Sequence, residues 1–147
     1  MTPKQIYEKM APVLEKLFPE ARVELNYSTT YELLIAVILS AQCTDKKVNE
    51  VTEKLFKKYT SLDMFADTTP ELLGQDIRST GFYMNKAKNV IGAAQKIRSE
   101  FGGEVPKSMA ELITLPGVAR KTANVVLSEA FGINEGIAVD THMIRLC

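Results

Sequence analysis

Long apolar runs are missing from this sequence, cysteine is scarce, and neither sign of charge is in excess. The longest uninterrupted apolar stretch, Leu33 to Leu39, is too short to span a bilayer. Met1-Thr2-Pro3-Lys4 opens no signal-peptide pattern. No membrane partner is expected. Two cysteines, Cys43 and Cys147, lie far apart with no C-x-x-C between them. Their scarcity argues for a cytoplasmic chain (nucleoid-associated if bacterial) and excludes a disulfide framework. Within these residues it also excludes a zinc or iron–sulfur site, and His142 has no second His or Cys beside it to make a metal site. Eighteen Lys and Arg balance eighteen Asp and Glu, so net charge neither demands nor forbids a polyanionic partner. No repeat of solenoid period and no linker-like segment interrupts the chain. What is present is 147 residues, 46% apolar and 24% charged, enough for one ordinary domain with a core.

The balance of charge hides an uneven distribution. Residues 1–77 carry nine basic and twelve acidic groups, residues 78–121 eight and three, and residues 122–147 one and three. The middle block, net +5, is the candidate phosphate-facing surface, although taken alone solvated helix faces are the favoured reading.

Almost every segment reads as helix. Thr2 and Gln5 form a capping box with Pro3 at the first helical position, and Ile6, Met10, Val13, Leu14 and Leu17 follow at helical spacing. Thr29 and Glu32 cap a second helix whose core, Leu33–Leu39, is apolar on every side, as a central buried helix requires. Thr44 or Asp45 starts a third, with Val48, Val51, Leu55 and Tyr59 inside and five lysines outside. Thr69-Pro70-Glu71 starts a short helix. Met84, Ala87, Ile91, Ala94, Ile97 and Phe101 mark a long one, ended by Gly102-Gly103. Ser108 and Glu111 form a further capping box, Leu115-Pro116-Gly117 breaks that helix, and another runs from about Arg120 to Phe131 before Gly132. Residues 137–139 read as extended, with Asp140 or Thr141 able to cap one more helix. The expected fold class is all-α.

The segment Leu115-Pro116-Gly117-Val118-Ala119-Arg120-Lys121-Thr122 joins two helices by a tight turn. Glycine permits the sharp turn and a close approach to a ligand. The amides that follow open a helix N-terminus, where a DNA phosphate can sit with no side chain involved. From the turn alone, an ordinary helical corner is an equal reading.

Leu115 to Val126, followed by Val139-Asp140-Thr141-His142, resembles the helix–hairpin–helix DNA glycosylases, most closely their endonuclease III branch. Upstream, Glu32 through Gln42-Cys43-Thr44-Asp45 resembles the family's buried helix and the loop after it, and Gly81-Phe82-Tyr83-Met84-Asn85-Lys86-Ala87 its second DNA-facing loop. The resemblance implies a bifunctional base excision repair enzyme. Such an enzyme removes oxidised pyrimidines from duplex DNA and cleaves the strand 3′ to the abasic site by β-elimination through a lysine Schiff base.

Lys121 matches the nucleophile. Its amine must be neutral to attack the sugar C1′, and a helix N-terminus beside Arg120 in a partly desolvated cleft disfavours the charged form, which is the direction required. Asp140 matches the family's acid, which would stabilise the developing positive charge or take a proton from the attacking amine or a water, either role being compatible with capping a helix. Because a stacked base is out of reach, the nucleotide must be flipped out. By resemblance Gln42 enters the vacated space and Phe82 is the wedge, where many relatives carry Leu. Without the family pattern Phe82 reads as core. The hairpin residues Gly117, Ala119, Arg120 and Thr122 are the implied DNA contacts, with Asp45 and Thr141 at the lesion pocket. Ala119 replaces a common family Gly, which would be strained if that position needs a positive φ. The competing readings are a non-catalytic helix–hairpin–helix module that only grips phosphates, or a fragment inactive by truncation.

The resemblance also divides the chain. It implies an N-terminal helix (1–20) belonging to a second, cluster-side lobe. A six-helix lobe (21–137) follows, with its helix–hairpin–helix at about 108–131, and residues 138–147 begin a next helix. Relatives continue into helices bearing a four-iron–four-sulfur cluster, whereas this chain stops at Arg145-Leu146-Cys147. The expectation is a truncated chain without the cluster's ligands, its first helix exposed and free to associate with a second copy.

Overall fold

The computed structural model describes residues 1–20, 22–136 and 144–145, and among these the only regular elements are helices. Helix α1 (Pro3–Leu17) begins at the expected capping box: the Thr2 hydroxyl accepts from the Gln5 amide while the Gln5 side chain accepts from Thr2 N–H. None of its residues is buried, and Ile6, Met10, Val13, Leu14 and Leu17 face solvent.

Helix α2 (Thr30–Leu39) is the axle of the fold. Thr29 and Glu32 form its reciprocal cap, and the Glu32 carboxylate accepts from both Ser28 N–H (2.6 Å) and Thr29 N–H (3.3 Å). Those bonds let a carboxylate be buried at a helix start. Every residue from Leu33 to Leu39 is buried, as its all-apolar circumference dictates. Around it pack α3 (Asp45–Lys58), α6 (Tyr83–Glu100) and α8 (Arg120–Phe131).

Between α3 and α6 the chain forms α4 (Leu62–Asp67), α5 (Pro70–Asp76) and a 3₁₀ turn at Arg78–Thr80. The sequence reading omits α4. The Ser61 hydroxyl caps it, and its Phe65 anchors an aromatic cluster, stacked on Tyr59 at 4.9 Å between centroids with Tyr31 and Phe56 edge-on. Both α4 and α5 lie against α6. Four-residue α7 (Met109–Leu112) leads through the Pro116-Gly117 turn into α8, which ends at left-handed Gly132.

Three expectations are corrected here. The Ser108 cap is not reciprocal: its hydroxyl donates to the Glu111 carboxylate at 2.7 Å, leaving no return bond to the backbone. Met84 is solvent-exposed instead of lying with Ala87 and Ile91 in the core. The basic block at residues 78–121 is not one phosphate face. Arg98 is held by Asp63 and Asp67 of α4, Lys96 reaches the Thr114 carbonyl, Lys107 lies over Phe131, and Lys86 is buried.

Candidate nucleic-acid interface

Six of the helices among the described residues start at a Ser or Thr whose hydroxyl accepts from the first turn: Thr2, Thr29, Thr44, Ser61, Thr69 and Ser108. Two do not. Helix α6 starts at Phe82 and α8 at Ala119, and neither residue caps through its side chain. These are the two starts that the sequence marks as DNA-facing, and their first-turn amides carry the positive end of the helix dipole.

The hairpin gets its shape from close packing on α6. Gly117 has φ +76°, and a Cβ placed there would lie 2.7 Å from the Asn89 Cβ. Three residues further along α6, a Cβ on Gly92 would lie 3.0 Å from Pro116 Cγ. Inside the turn the Val118 amide donates to the Leu115 carbonyl at 3.2 Å, and both side chains are buried. Ala119 follows in extended backbone, φ −91° and ψ 175°, so its replacement of glycine carries no left-handed strain. Arg120, Lys121 and Thr122 then open α8, with Arg120 and Lys121 exposed and Thr122 half-buried. Exposure of Lys121 departs from the expected partly desolvated cleft.

Only two non-glycine residues among those described have positive φ, and they are Gln42 (52°) and Phe82 (46°). Gln42 stands at the tip of the loop leaving α2, which is tightened by bonds from the Cys43 amide to the Ser40 carbonyl and from the Ser40 hydroxyl to the Val37 carbonyl. Phe82 follows left-handed Gly81 and is 68% exposed, so it is no core residue. Backbone strain of this kind persists only where the surroundings enforce it. The two loops and the hairpin meet around one cleft of about 270 Å³, lined by Gln42, Phe82, Asn85, Lys86, Asn89 and Gly117. The sequence reading has Asn85 and Lys86 in the motif resembling a DNA-facing loop without singling them out, and it missed Asn89, whose proximity comes from tertiary packing.

Asp45 lies elsewhere. As the first residue of α3, capped by Thr44, it lines a wider cleft of about 740 Å³ with Glu24, Asn26, Tyr27 and Asn49, and neither Gln42 nor Phe82 belongs to it. The Asn49 side chain shapes that wall, accepting from Asn26 N–H at 2.8 Å and donating to the Glu24 carbonyl at 2.9 Å. Asp140, Thr141 and His142 lie outside the described residues, as do the expected extended stretch at 137–139 and Cys147.

Among the described residues no three His, Cys, Asp or Glu side chains converge as metal ligands, and no helix is long and apolar enough to cross a membrane. An iron–sulfur cluster takes four thiolates. The sequence offers Cys43 and Cys147, so these residues do not fit such a group.

Comparison with known proteins identifies the family. Residues 35–147 match the family described as HhH-GPD superfamily base excision DNA repair protein. The sequence is 54% identical to endonuclease III of Synechocystis sp. over 143 residues, 97% of this chain and 65% of that protein. It is 52% identical to endonuclease III of Bacillus subtilis over 88% of this chain and 59% of the relative. The chain thus spans about three-fifths to two-thirds of the length of these curated relatives. Its fold superposes on a solved non-covalent endonuclease III–DNA complex with TM-score 0.90 at 49% identity, covering 99% of this chain and 68% of that one. A thermostable thymine-DNA glycosylase shares the fold at TM-score 0.85 and 23% identity.

Proposed function

Starting from the fact that this chain belongs to the HhH-GPD superfamily of base excision DNA repair proteins, we propose that it is the catalytic part of an endonuclease III-type DNA glycosylase and abasic-site lyase. Its substrate is duplex DNA carrying an oxidised pyrimidine or an abasic site. The observation that carries the reading is the meeting of left-handed Gln42, left-handed exposed Phe82 and the Gly117 turn around a single cleft.

Each part has a physical task. The uncapped amides that open α8 hold a phosphate and so fix the strand's register. Phe82 stacks against a base of the opposed strand, and the Gln42 amide offers both donor and acceptor to the orphaned partner. With the nucleotide swung out, bound DNA covers Lys121 and excludes water from its amine.

The Lys121 nitrogen bonds to C1′ as the C1′–base bond breaks, and the base leaves with the electron pair and takes up a proton. Asp140 stabilises the charge that develops on the sugar. The attached nitrogen then gives up one of its two protons, and its lone pair forms the iminium, still carrying one N–H, as the C1′–O4′ bond breaks and O4′ takes up a proton. That iminium draws electrons from C2′, which gives up a proton as the C3′–O bond breaks and releases the 3′ phosphate. Water then frees the lysine.

Borohydride reduction in the presence of abasic-site DNA tests the reading. A covalent adduct that Lys121→Ala abolishes is the expected result. Salt-sensitive binding without any adduct would reassign the chain to a phosphate-gripping module. The exposed apolar face of α1 supports one further partner, a second copy presenting the same stripe.

A further inference from the structure

Lys86 is a charged side chain in the wrong place by local rules. It lies in the opening turn of α6, where the helix dipole opposes a cation, and it is only 5% exposed. Its Nζ donates to the Leu39 carbonyl at 2.9 Å and to the Thr80 carbonyl at 2.8 Å, with no carboxylate partner among the described residues. Leu39 is the last residue of α2 and Thr80 the last of the 3₁₀ turn. Terminal carbonyls of this kind lack intrahelical donors and carry partial negative charge. From each of these ends departs one of the strained loops: Ser40-Ala41-Gln42 from the first, Gly81-Phe82 from the second. The backbone amide of Lys86 also donates to the Phe82 carbonyl at 3.0 Å. One residue therefore touches both loop origins and lines the cleft between their tips.

We propose that Lys86 is a positioning residue, tying the α2 terminus to the 3₁₀ terminus so that Gln42 and Phe82 keep the separation needed to enter a duplex together. This rests on the nucleotide-flipping reading above. Two probes entering one base step must arrive in register, and a misplacement of about 1 Å in such a site costs about a hundredfold in rate. An ammonium suits the task because its three donors can serve two carbonyls while the chain of methylenes packs in the core. Burial lowers the proton affinity of the amine from its ordinary value, the mark of a charge kept from water for the sake of its bonds.

The test compares wild type, Lys86→Met and Lys86→Arg on two substrates. One is a duplex with an abasic site opposite 2-aminopurine, whose fluorescence reports displacement. The other is single-stranded abasic DNA, which needs no flipping. Lys86→Met is expected to lose about tenfold to a hundredfold in displacement and trapping rate on the duplex, while trapping on the single strand stays within about twofold of wild type. Equal losses on both substrates, or no loss on the duplex, would overturn the proposal. Should Lys86→Met fail to fold, Lys86→Arg keeps a donor for each carbonyl but changes their separation. It must then show the same duplex-selective loss, and wild-type behaviour on both substrates would overturn the proposal. Wild type that displaces 2-aminopurine but traps no adduct on either substrate would remove the lyase reading and leave the positioning role standing.

Discussion

Gly117 and Asn89 approach so closely that a single methyl group on the glycine would come within 2.7 Å of the asparagine Cβ, and Gly117 also holds φ +76°. The hairpin is thus fixed to α6 at the point where α6 borders the cleft. Gly117→Ala is expected to cost about 2–4 kcal/mol, combining left-handed strain with overpacking. Asn89→Gly removes the Cβ that clashes, at a cost of about 1 kcal/mol as a glycine within a helix. If the contact matters as described, urea denaturation will find the double variant about 1 kcal/mol or more less destabilised than the two single losses added. Strict additivity would contradict this.

Phe82 pairs a left-handed backbone with a largely exposed ring, so its conformation costs stability that the side chain does not recover in the core. Phe82→Gly is expected to raise the unfolding free energy by up to about 1 kcal/mol. The same change removes a stacking surface worth about 1–3 kcal/mol per base, so duplex cleavage slows by about tenfold or more. Thermal unfolding and strand-nicking assays read the two effects separately. A less stable Phe82→Gly protein, or one with undiminished nicking, would contradict the wedge role.

The helices were legible in the sequence wherever their signals are local. Thr29 with Glu32, Thr44, and Thr69 with Pro70 lie within one turn of the helices they start, and Gly132 lies where α8 stops. Helix α4 was not, because six residues hold too little periodicity and its stability comes from the Phe65 cluster. The family resemblance placed Gln42 and Phe82, and the backbone then singled them out by their positive φ. The bonding of Lys86 and Asn49 carried no local signal, although Lys86 belongs to the motif that resembles the second DNA-facing loop. Each is bonded to carbonyls up to 47 and 25 residues away, and a lysine on an amphipathic helix reads as solvated. The positive block likewise dissolved through the contact of Arg98 with Asp67, 31 residues distant.

Arg120 is exposed beside the uncapped start of α8, where no core contact depends on it. Arg120→Ala is expected to leave stability within about 0.5 kcal/mol of wild type. It should weaken DNA binding and lower the slope of log affinity against log salt by about one, the signature of one lost phosphate contact. Binding titrations across a salt series measure it. An unchanged slope would place Arg120 away from the phosphates.

Burial holds the Lys86 amine below its ordinary pKa of 10.5 in the folded protein, while the unfolded chain keeps that ordinary value. As pH rises through the folded value, the folded state loses its proton before the unfolded state does, and unfolding then takes up a proton. Stability therefore grows with pH over this window. Other groups titrate there too, so the readout is the difference between wild type and Lys86→Met. That difference is expected to shift in favour of wild type as pH climbs from neutral towards 10.5, as followed by urea denaturation. A flat difference would mean that the buried amine is solvated as in the unfolded chain.

Helix α1 combines features that predict low local stability. It has no buried residue, Pro12 removes a hydrogen-bond donor from its interior, and fifteen residues are marginal for a helix without a packed face. Backbone amides of α1 should exchange with solvent far faster than those of α2, whose apolar residues are wholly enclosed. The exposed stripe of Ile6, Met10, Val13, Leu14 and Leu17 is then a surface that another apolar face would stabilise. Sedimentation at rising concentration is expected to show self-association, and added protection of α1 amides should accompany it. Leu14→Gln with Leu17→Gln removes the centre and end of the stripe without touching the core, so it should abolish both effects and leave the stability of the remaining helices unchanged. Association that survives the double substitution would place the contact on another face of the molecule.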